Sequence, residues 1–592
     1  MNTADHPDFG GTPLDTTTIP QRRLNIDNKK RSNLFPWNGQ FSPQLVENLL
    51  ETYAQVGDFV LDPFVGSGTV LHEAGRRELP AFGSEINPAA FKIAQVYRFI
   101  NVKAGQRRQP VEDAEDALYD ALPSTPSLFS PTAKTPGTPM RQALADAATQ
   151  ARTSLSKILL EALVVLLNYS DKELTADAIL GTWGKLRETV QALPVSDTVI
   201  EPANCDARAL PLPDHRADIV ITSPPYINVF NYHQHYRRSV EALGWNLLEV
   251  ARSEIGSNRK NRGNRFLTVI QYCIDMTAVL HELRRVCKPQ ARIIIVVGRE
   301  SNVRKTRFFN GEIVARLAVR SAGYRLQARQ ERVFQNRFGE MIFEDILHLT
   351  PRPPNGAMKP RLESAIMRYN EWIVELNAVT GTPQKRIRAM VALLNQYRLY
   401  IDVELVFDSQ QDFLYRQKGQ LKLDNSVIEE FLPHLVQLEI LPEIRGHEVV
   451  VGPTTCFSSV YFSTSLEVPV IGGGLEIRAK DQDFAISKKL YLKASHDPAF
   501  IGPTTVTKET HIGFVVAECK TNLDKTMFQE ACATAHDVKA AVSGARYYLV
   551  CEWLDMTPLS TAPTDGNEIL LLRKAKRINS NVRSKYATFF VV

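Results

Sequence analysis

The stretch LDPFVGSGT (Leu61–Thr69) decides the fold. An apolar run ends in Asp62 and Pro63, two glycines follow, and a helical pattern begins at Thr69. Gly66 and Gly68 permit close backbone approach, and the start of the helix offers unpaired N–H groups to a ligand. Flanking segments alternate in the same way: SPQLVENLLETYAQV reads as a helix, DFVLDPF and AFGSEI as strands, PAAFKIAQVYRFI as a helix. Strands alternating with helices predict a parallel sheet of the α/β class. A tight turn would also account for GxG alone. Common nucleotide signatures fit poorly, because the third Gly of GxGxxG is missing and no G-K-[ST] occurs.

Two carboxylates and a proline pair extend the pattern. Glu85 lies 19 residues after Gly66, at the end of the next strand, where an acid can hold ribose hydroxyls. Asp206, in NCDARALP, precedes the strand DIVITS, which runs into TSPPY (222–226). Downstream, LTVIQYCIDMTAVLHELRRVC reads as a helix, ARIIIVVG as a buried strand, GEIVARLAVRSAG as a helix and YRLQARQERVFQ as a strand. Residues 102–197 interrupt the alternation with a Pro-, Ser- and Thr-rich linker to about 140 and then amphipathic helices.

In their order, FPWNGQFSPQLVENLL, DPFVGSGT, GSEINP, CDARALP and TSPPY resemble the amino-methylating DNA methyltransferases, which use S-adenosylmethionine to modify cytosine N4 or adenine N6. The resemblance spans roughly 35–350. It implies a Rossmann-like, S-adenosylmethionine-dependent α/β domain over 35–355 with a helical insertion. Phe35 and the Phe64–Gly68 turn (Phe64, Gly66, Ser67, Gly68) would surround the methionine part of the cofactor, with Asp62, Pro63 and Thr69 in the same binding turn. Glu85 would hold the ribose and Asp206 the adenine amino group.

An exocyclic amine is a weak nucleophile because its lone pair is delocalised into the ring. A catalyst must hold it with acceptors and aim it at the methyl group. Ser223 Oγ and the Pro224 carbonyl can accept from the amine, Pro224 and Pro225 fix the backbone, and Tyr226 can stack on a flipped-out base. Serine at 223 favours cytosine N4 over adenine N6; asparagine there would also have admitted glutamine methylation. Cytosine C5 chemistry needs a Pro-Cys pair, and the chain has none. Arg252, Arg259, Lys260, Arg262 and Arg265 concentrate positive charge after this segment. Of these, Arg259, Lys260, Arg262 and Arg265 are the expected DNA contacts, against the alternative of a solvated loop. The basic N-terminal residues 1–34 read as a solvated arm.

PRPPNGAMKP (351–360) marks a boundary, since prolines break any continuing element. The remainder, 356–592, reads as helices over about 361–440 and a β-rich core over about 441–592. In IGFVVAECKTNLDKTMFQEA an apolar strand runs into Glu518-Cys519-Lys520, with Asp481 and Asp483 upstream in KDQDFAIS. This resembles the PD-(D/E)xK nucleases, and with YRQKGQLKLDNSVIEEFLPHL it resembles type II restriction endonucleases. The resemblance implies an α+β nuclease-like domain with Asp483, Glu518 and Lys520 as its active site. Asp483 and Glu518 would hold Mg²⁺, and Asp481 is the competing acid.

At 592 residues the chain is too long for one core, and 44% hydrophobic with 23% charged residues is ordinary for globular domains. Seven scattered cysteines indicate neither disulfides nor zinc. No long apolar run or leader-like segment is visible, so no membrane contact and a cytoplasmic location are expected. Together these readings predict a bifunctional restriction–modification enzyme acting on duplex DNA, with a homodimer or two successive nicks needed to cut both strands. The alternative is a methyltransferase whose nuclease-derived half binds DNA without cutting it.

Overall fold

The computed structural model describes residues 9, 12–37, 39–122, 137–167, 175–227, 236–251, 253–256, 264–303, 306–335, 339–352, 362–401, 405, 416–417, 420–421, 423–462, 475–495, 498–501, 505–554, 556 and 561–572. The chain forms two compact units, Met1–Pro360 and Arg361–Val592. No helix among the described residues is long and apolar enough to cross a membrane.

The first unit is built on a seven-stranded sheet. Its strands are β1 (Val60–Asp62), β2 (Ala81–Ser84), β3 (Ile200–Ala203), β4 (Ala217–Thr222), β5 (Cys287–Gly298), β8 (Tyr324–Gln335) and β9 (Met341–Pro351), with a small hairpin, β6 (Glu300–Val303) and β7 (Thr306–Phe309), beside it. Sheet order is β3-β2-β1-β4-β5-β9-β8. The first five strands are parallel, and β9 runs against both of its neighbours. Apolar residues make up most of β1 and β4 because strands at the middle of such a sheet are covered on both faces. The chain leaves β1 towards β2 and β3 on one side, and β4 leads to β5 on the other. The carboxyl ends of β1 and β4 therefore flank a crevice, the usual ligand position in doubly wound sheets.

Helices α2 (Pro43–Tyr53), α3 (Thr69–Arg76) and α4 (Pro88–Ala94) pack around this sheet. The insertion supplies α5 (Arg108–Ala121), α6 (Gly137–Thr149), α7 (Ser154–Leu166) and α8 (Ala176–Ala192), whose apolar residues join the same core as Val60 and Ile219. The linker expected over 102–140 is therefore corrected in part. Val111, Ala114 and Leu118 are buried at helical spacing on α5, a periodicity masked by the Pro-rich run next to it; that run, 123–136, lies outside the described residues.

The N-terminal residues are corrected too. Ile19 and Leu24 are buried, the latter on α1 (Gln21–Asn25), and Leu14 bridges to Arg329 of β8. Arg31 pairs with Glu47 and Glu73, and Arg23 with Glu51, so part of the basic cluster is tied to α2 and α3 rather than being solvated.

In the second unit, helices Leu362–Ala378 and Pro383–Leu399 pack Trp372 flat on Tyr397, with ring centroids 4.5 Å apart. A two-stranded pair, β10 (Arg416–Gln417) and β11 (Gln420–Leu421), and the helix Leu423–Phe431 follow. The core is a mixed sheet of β12 (Val450–Phe462), β13 (Leu475–Ser495), β14 (Thr505–Leu523), β15 (Arg546–Leu554) and β16 (Glu568–Leu571), in that order. β13 is antiparallel to β12 and β14, whereas β15 is parallel to β14 and reached through the helix Lys525–Ala541. β12 is bulged twice against β13, between Gly452 and Thr454 and between Phe457 and Ser459.

Candidate active sites

In the first unit the crevice is assembled by non-local bonds at the strand ends. Thr222, the last residue of β4, donates its hydroxyl to Asp62 Oδ1 at 2.6 Å, and the Phe64 amide donates to the same oxygen at 3.0 Å. Burial pushes the Asp62 carboxyl up to about 7, against the pull of these two bonds. Gly66 and Gly68 both have positive φ, and a Cβ on Gly68 would lie 2.4 Å from the Tyr97 ring. Only glycine fits there.

Glu85, immediately after β2, accepts from the Gly66 amide at 3.0 Å and the Asn87 amide at 2.8 Å. It thereby joins the glycine turn to the start of α4. Burial raises its carboxyl to about 7, and nearby Glu254 and Asp62 add to the rise. These groups border a cavity of about 880 Å³, open mouth included, walled by Trp37, Gln40, Phe41, Pro63 to Ser67, Thr69, Glu85, Asp206, Ser223, Pro225 and Glu254, among others. That size suits a nucleoside-sized cofactor.

Asp206 is on the wall, and its carboxylate is gripped by Arg208, with Nη2 at 2.6 Å and Nε at 2.9 Å. Arg208 also reaches Asp275 at 2.6 Å and the Ser253 carbonyl at 3.0 Å. Ser223 faces the cavity, and the Tyr226 hydroxyl lies close to its side chain and to the backbone of Gly298. The Tyr226 ring rests on Gly298, where a Cβ would come within 2.7 Å.

Phe35 is placed differently from expectation. It is buried edge-on against Tyr97 at 5.8 Å, behind the wall rather than on it, and its carbonyl accepts from the Gln40 amide. Trp37, Gln40 and Phe41 of the same stretch line the cavity instead, and Gln40 donates to Ser67 Oγ at 2.9 Å. Asp62 and Gly68 shape the turn from behind.

In the second unit, antiparallel pairing sets Phe484 opposite Ala517, which brings Asp483 beside Glu518 on neighbouring strands. Asp483 Oδ2 accepts from the Cys519 amide at 2.9 Å. Glu518 lies 2.5 Å from the Lys520 ammonium and accepts from the Tyr547 hydroxyl at 2.6 Å. Burial works against the Lys520 charge, but Glu518, Asp483 and Glu530 outweigh it and hold the proton more firmly than usual. Asp481 is exposed and its carboxylate goes to the Thr455 hydroxyl on β12. Among the described residues no group of three or more His, Cys, Asp or Glu side chains comes together. Two carboxylates completed by water and substrate oxygens are nevertheless how Mg²⁺ is commonly held, so the donors fit that ion.

Comparison with known proteins matches one segment in each unit to a family. Residues 16–96 match the DNA methylase family of N6/N4 type, and residues 420–590 match the Bpu10I restriction endonuclease family. The first unit carries a DNA methylase domain; the second carries a Bpu10I-type restriction endonuclease domain. Among curated relatives, the type II methyltransferase M.MjaII of Methanocaldococcus jannaschii is 41% identical over 63 residues, which is 11% of this chain and only 12% of that protein. Type II methyltransferase M.BsoBI of Geobacillus stearothermophilus is 22% identical over 416 residues, covering 51% of this chain and 79% of that one. A solved structure of the native BbvCI A2B2 tetramer is 20% identical with a TM-score of 0.29, over 38% of this chain and 80% of that chain.

Arg259, Lys260 and Arg262, the expected DNA contacts of the methylase unit, lie outside the described residues. Arg265 is corrected: it is 2% exposed, and its Nε donates to the Val303 carbonyl at 3.2 Å, so it braces the first turn of helix Arg265–Val286 from inside. Arg208 in the methylase and Tyr547 in the endonuclease were not singled out by sequence. CDARALP does contain a hint of the first, an arginine two residues after the acid. Nothing local to Tyr547 announces the second, because its partner is on another strand.

Proposed function

We propose that the chain is a single-chain restriction–modification enzyme. The methylase unit transfers a methyl group from S-adenosylmethionine to an exocyclic amine in a specific duplex DNA site, cytosine N4 in preference to adenine N6. The endonuclease unit hydrolyses unmethylated copies of that site with Mg²⁺. The observation that carries the reading is the presence in one chain of Ser223 on the wall of a cavity also lined by Glu85 and Asp206, and of Asp483 aligned with Glu518 and Lys520.

S-adenosylmethionine supplies a sulfonium-activated methyl group. Glu85 would hold the ribose hydroxyls, and Asp206, itself held by Arg208, would accept from the adenine amino group. Ser223 Oγ and the Pro224 carbonyl accept the two amine hydrogens, which turns the nitrogen lone pair out of the ring towards the methyl donor. Tyr226 covers the flipped base, and the lost amine proton passes to solvent.

In the second unit, a bound Mg²⁺ would supply positive charge to the scissile phosphate. Asp483 and Glu518 would hold it, and the Lys520 ammonium would orient the attacking water. One hydrolytic site per chain cuts one strand, so double-strand cleavage takes a homodimer or two successive nicks. Such chemistry on cellular and incoming DNA belongs in the cytoplasm.

Incubating the chain with unmethylated plasmid and Mg²⁺, with and without prior S-adenosylmethionine treatment in EDTA, tests both halves. Discrete fragments that vanish after premethylation are expected. Intact plasmid that still takes up methyl groups would refute the hydrolytic assignment, and cut plasmid without methyl uptake would refute the transferase. Nucleoside analysis should find N4-methylcytosine; N6-methyladenine would overturn the choice of base.

A further inference from the structure

Glu518 offers its two oxygens to two different donors. Oε1 lies 2.5 Å from the Lys520 ammonium, and Oε2 accepts from the Tyr547 hydroxyl at 2.6 Å. Tyr547 comes from β15, where it sits opposite Val516, and its hydroxyl reaches two residues along β14 to Glu518. The tyrosine is 1% exposed, so its hydroxyl would be costly to bury without a partner. A carboxylate acceptor makes the bond charge-assisted and directional. Asp483 is aligned separately, by the Cys519 amide.

We propose that Tyr547 is a positioning residue of the hydrolytic site, holding Oε2 of Glu518 so that Oε1 alone is offered, beside Asp483, to a divalent cation. The inference rests on the nuclease reading above. Oε1 is also the oxygen that Lys520 covers, so a cation and the ammonium compete for it. Cation binding thereby releases Lys520 towards water and phosphate, and Tyr547 keeps the carboxylate from turning to follow the lysine.

Manganese(II) is the probe, titrated into the full-length chain without DNA and followed by the electron paramagnetic resonance of the free ion. Tyr547→Phe should weaken Mn²⁺ binding about tenfold, as loss of an outer-shell hydrogen bond to a metal ligand commonly does. It should raise the Mg²⁺ midpoint for cleavage by a similar factor. Lys520→Ala, although unable to cleave, should bind Mn²⁺ about threefold tighter or more, because the competing charge is gone. A folded Tyr547→Phe chain with wild-type Mn²⁺ affinity and Mg²⁺ midpoint would overturn the proposal. Were that variant to lose cooperative melting, Lys520→Ala would decide alone, and unchanged or weaker Mn²⁺ binding there would overturn it. A wild-type chain that binds Mn²⁺ but never cuts unmethylated DNA would instead remove the nuclease reading, leaving the role of Tyr547 to be judged on the metal titration.

Discussion

Glu85 directly follows the buried strand β2, and Glu518 lies within the stretch of β14 that pairs parallel with β15, yet the two acids are held by different kinds of group. Both oxygens of Glu85 accept from backbone amides, those of Gly66 and Asn87. Glu518 is held by side chains, Lys520 and Tyr547. Backbone donors exist wherever the chain takes the right path, so the methylase site is set by the glycine turn and the strand order. Side-chain donors exist only where particular residues meet, so the endonuclease site is set by strand register.

The largest effects should come from one substitution in each site. Ser223→Ala removes an acceptor for the amine, and Lys520→Ala removes the ammonium beside Glu518. Each should cost about a hundredfold to a thousandfold in its own reaction and leave the other within about twofold. Parallel measurement of methyl uptake and strand cleavage on the same preparations checks this. Loss of both activities from a single change in a folded chain would end the description of two independent sites.

Next in size is a change that adds only a methyl group. Gly298→Ala places a Cβ where the Tyr226 ring now lies, at 2.7 Å from its edge, so the ring must shift relative to Ser223. Misplacing a catalytic group by about 1 Å can cost about a hundredfold. The expected result is a drop of about tenfold or more in methyl-transfer kcat with cofactor affinity unchanged. A variant that loses cofactor affinity instead would show that Gly298 supports the cavity rather than the tyrosine.

The backbone-held acid should announce itself through pH. Glu85 is raised from 4.5 to about 7 by burial, so the folded chain favours its protonated form. The associated stabilisation is complete below pH 4.5 and is lost as pH rises through about 7; Asp62 acts in the same direction. For Glu85 this amounts to about 3 kcal/mol. Thermal melting of the cofactor-free chain should fall between pH 5 and 8 by an amount that Glu85→Gln reduces. An unchanged pH slope in that variant would mean that the carboxylate is not buried as described.

The same contrast explains what could be read from sequence. The α/β alternation, the Gly66–Gly68 turn and the order of Glu85, Asp206 and Ser223 are local patterns, and the strand ends bring them together without further information. Phe35 is hard to tell from its aromatic neighbours Trp37 and Phe41 by sequence, because they differ only in which way the loop turns them. Arg265 looked exposed because it closes a basic run, whereas the helix that begins there buries its first turn. α5 was hidden by its Pro-rich neighbour, and Tyr547 was invisible because a tyrosine in a strand carries no sign of what lies across it.

Asp481 and Asp483 are the sharpest instance, and they yield the smallest expected effect. Two residues apart on one strand, they are equivalent to any reading of local sequence. Register separates them: Asp483 falls beside Glu518 and takes the Cys519 amide, whereas Asp481 turns to Thr455 on the outer neighbour β12. Asp481→Asn keeps an acceptor for that hydroxyl at an exposed position, so cleavage should change by less than about twofold and stability by less than about 0.5 kcal/mol. Asp483→Asn, at the cation-facing position, should cost about a hundredfold or more in cleavage. The reverse ranking would mean that β13 is displaced by two residues when the endonuclease works, and it would move the whole site along the sheet with it.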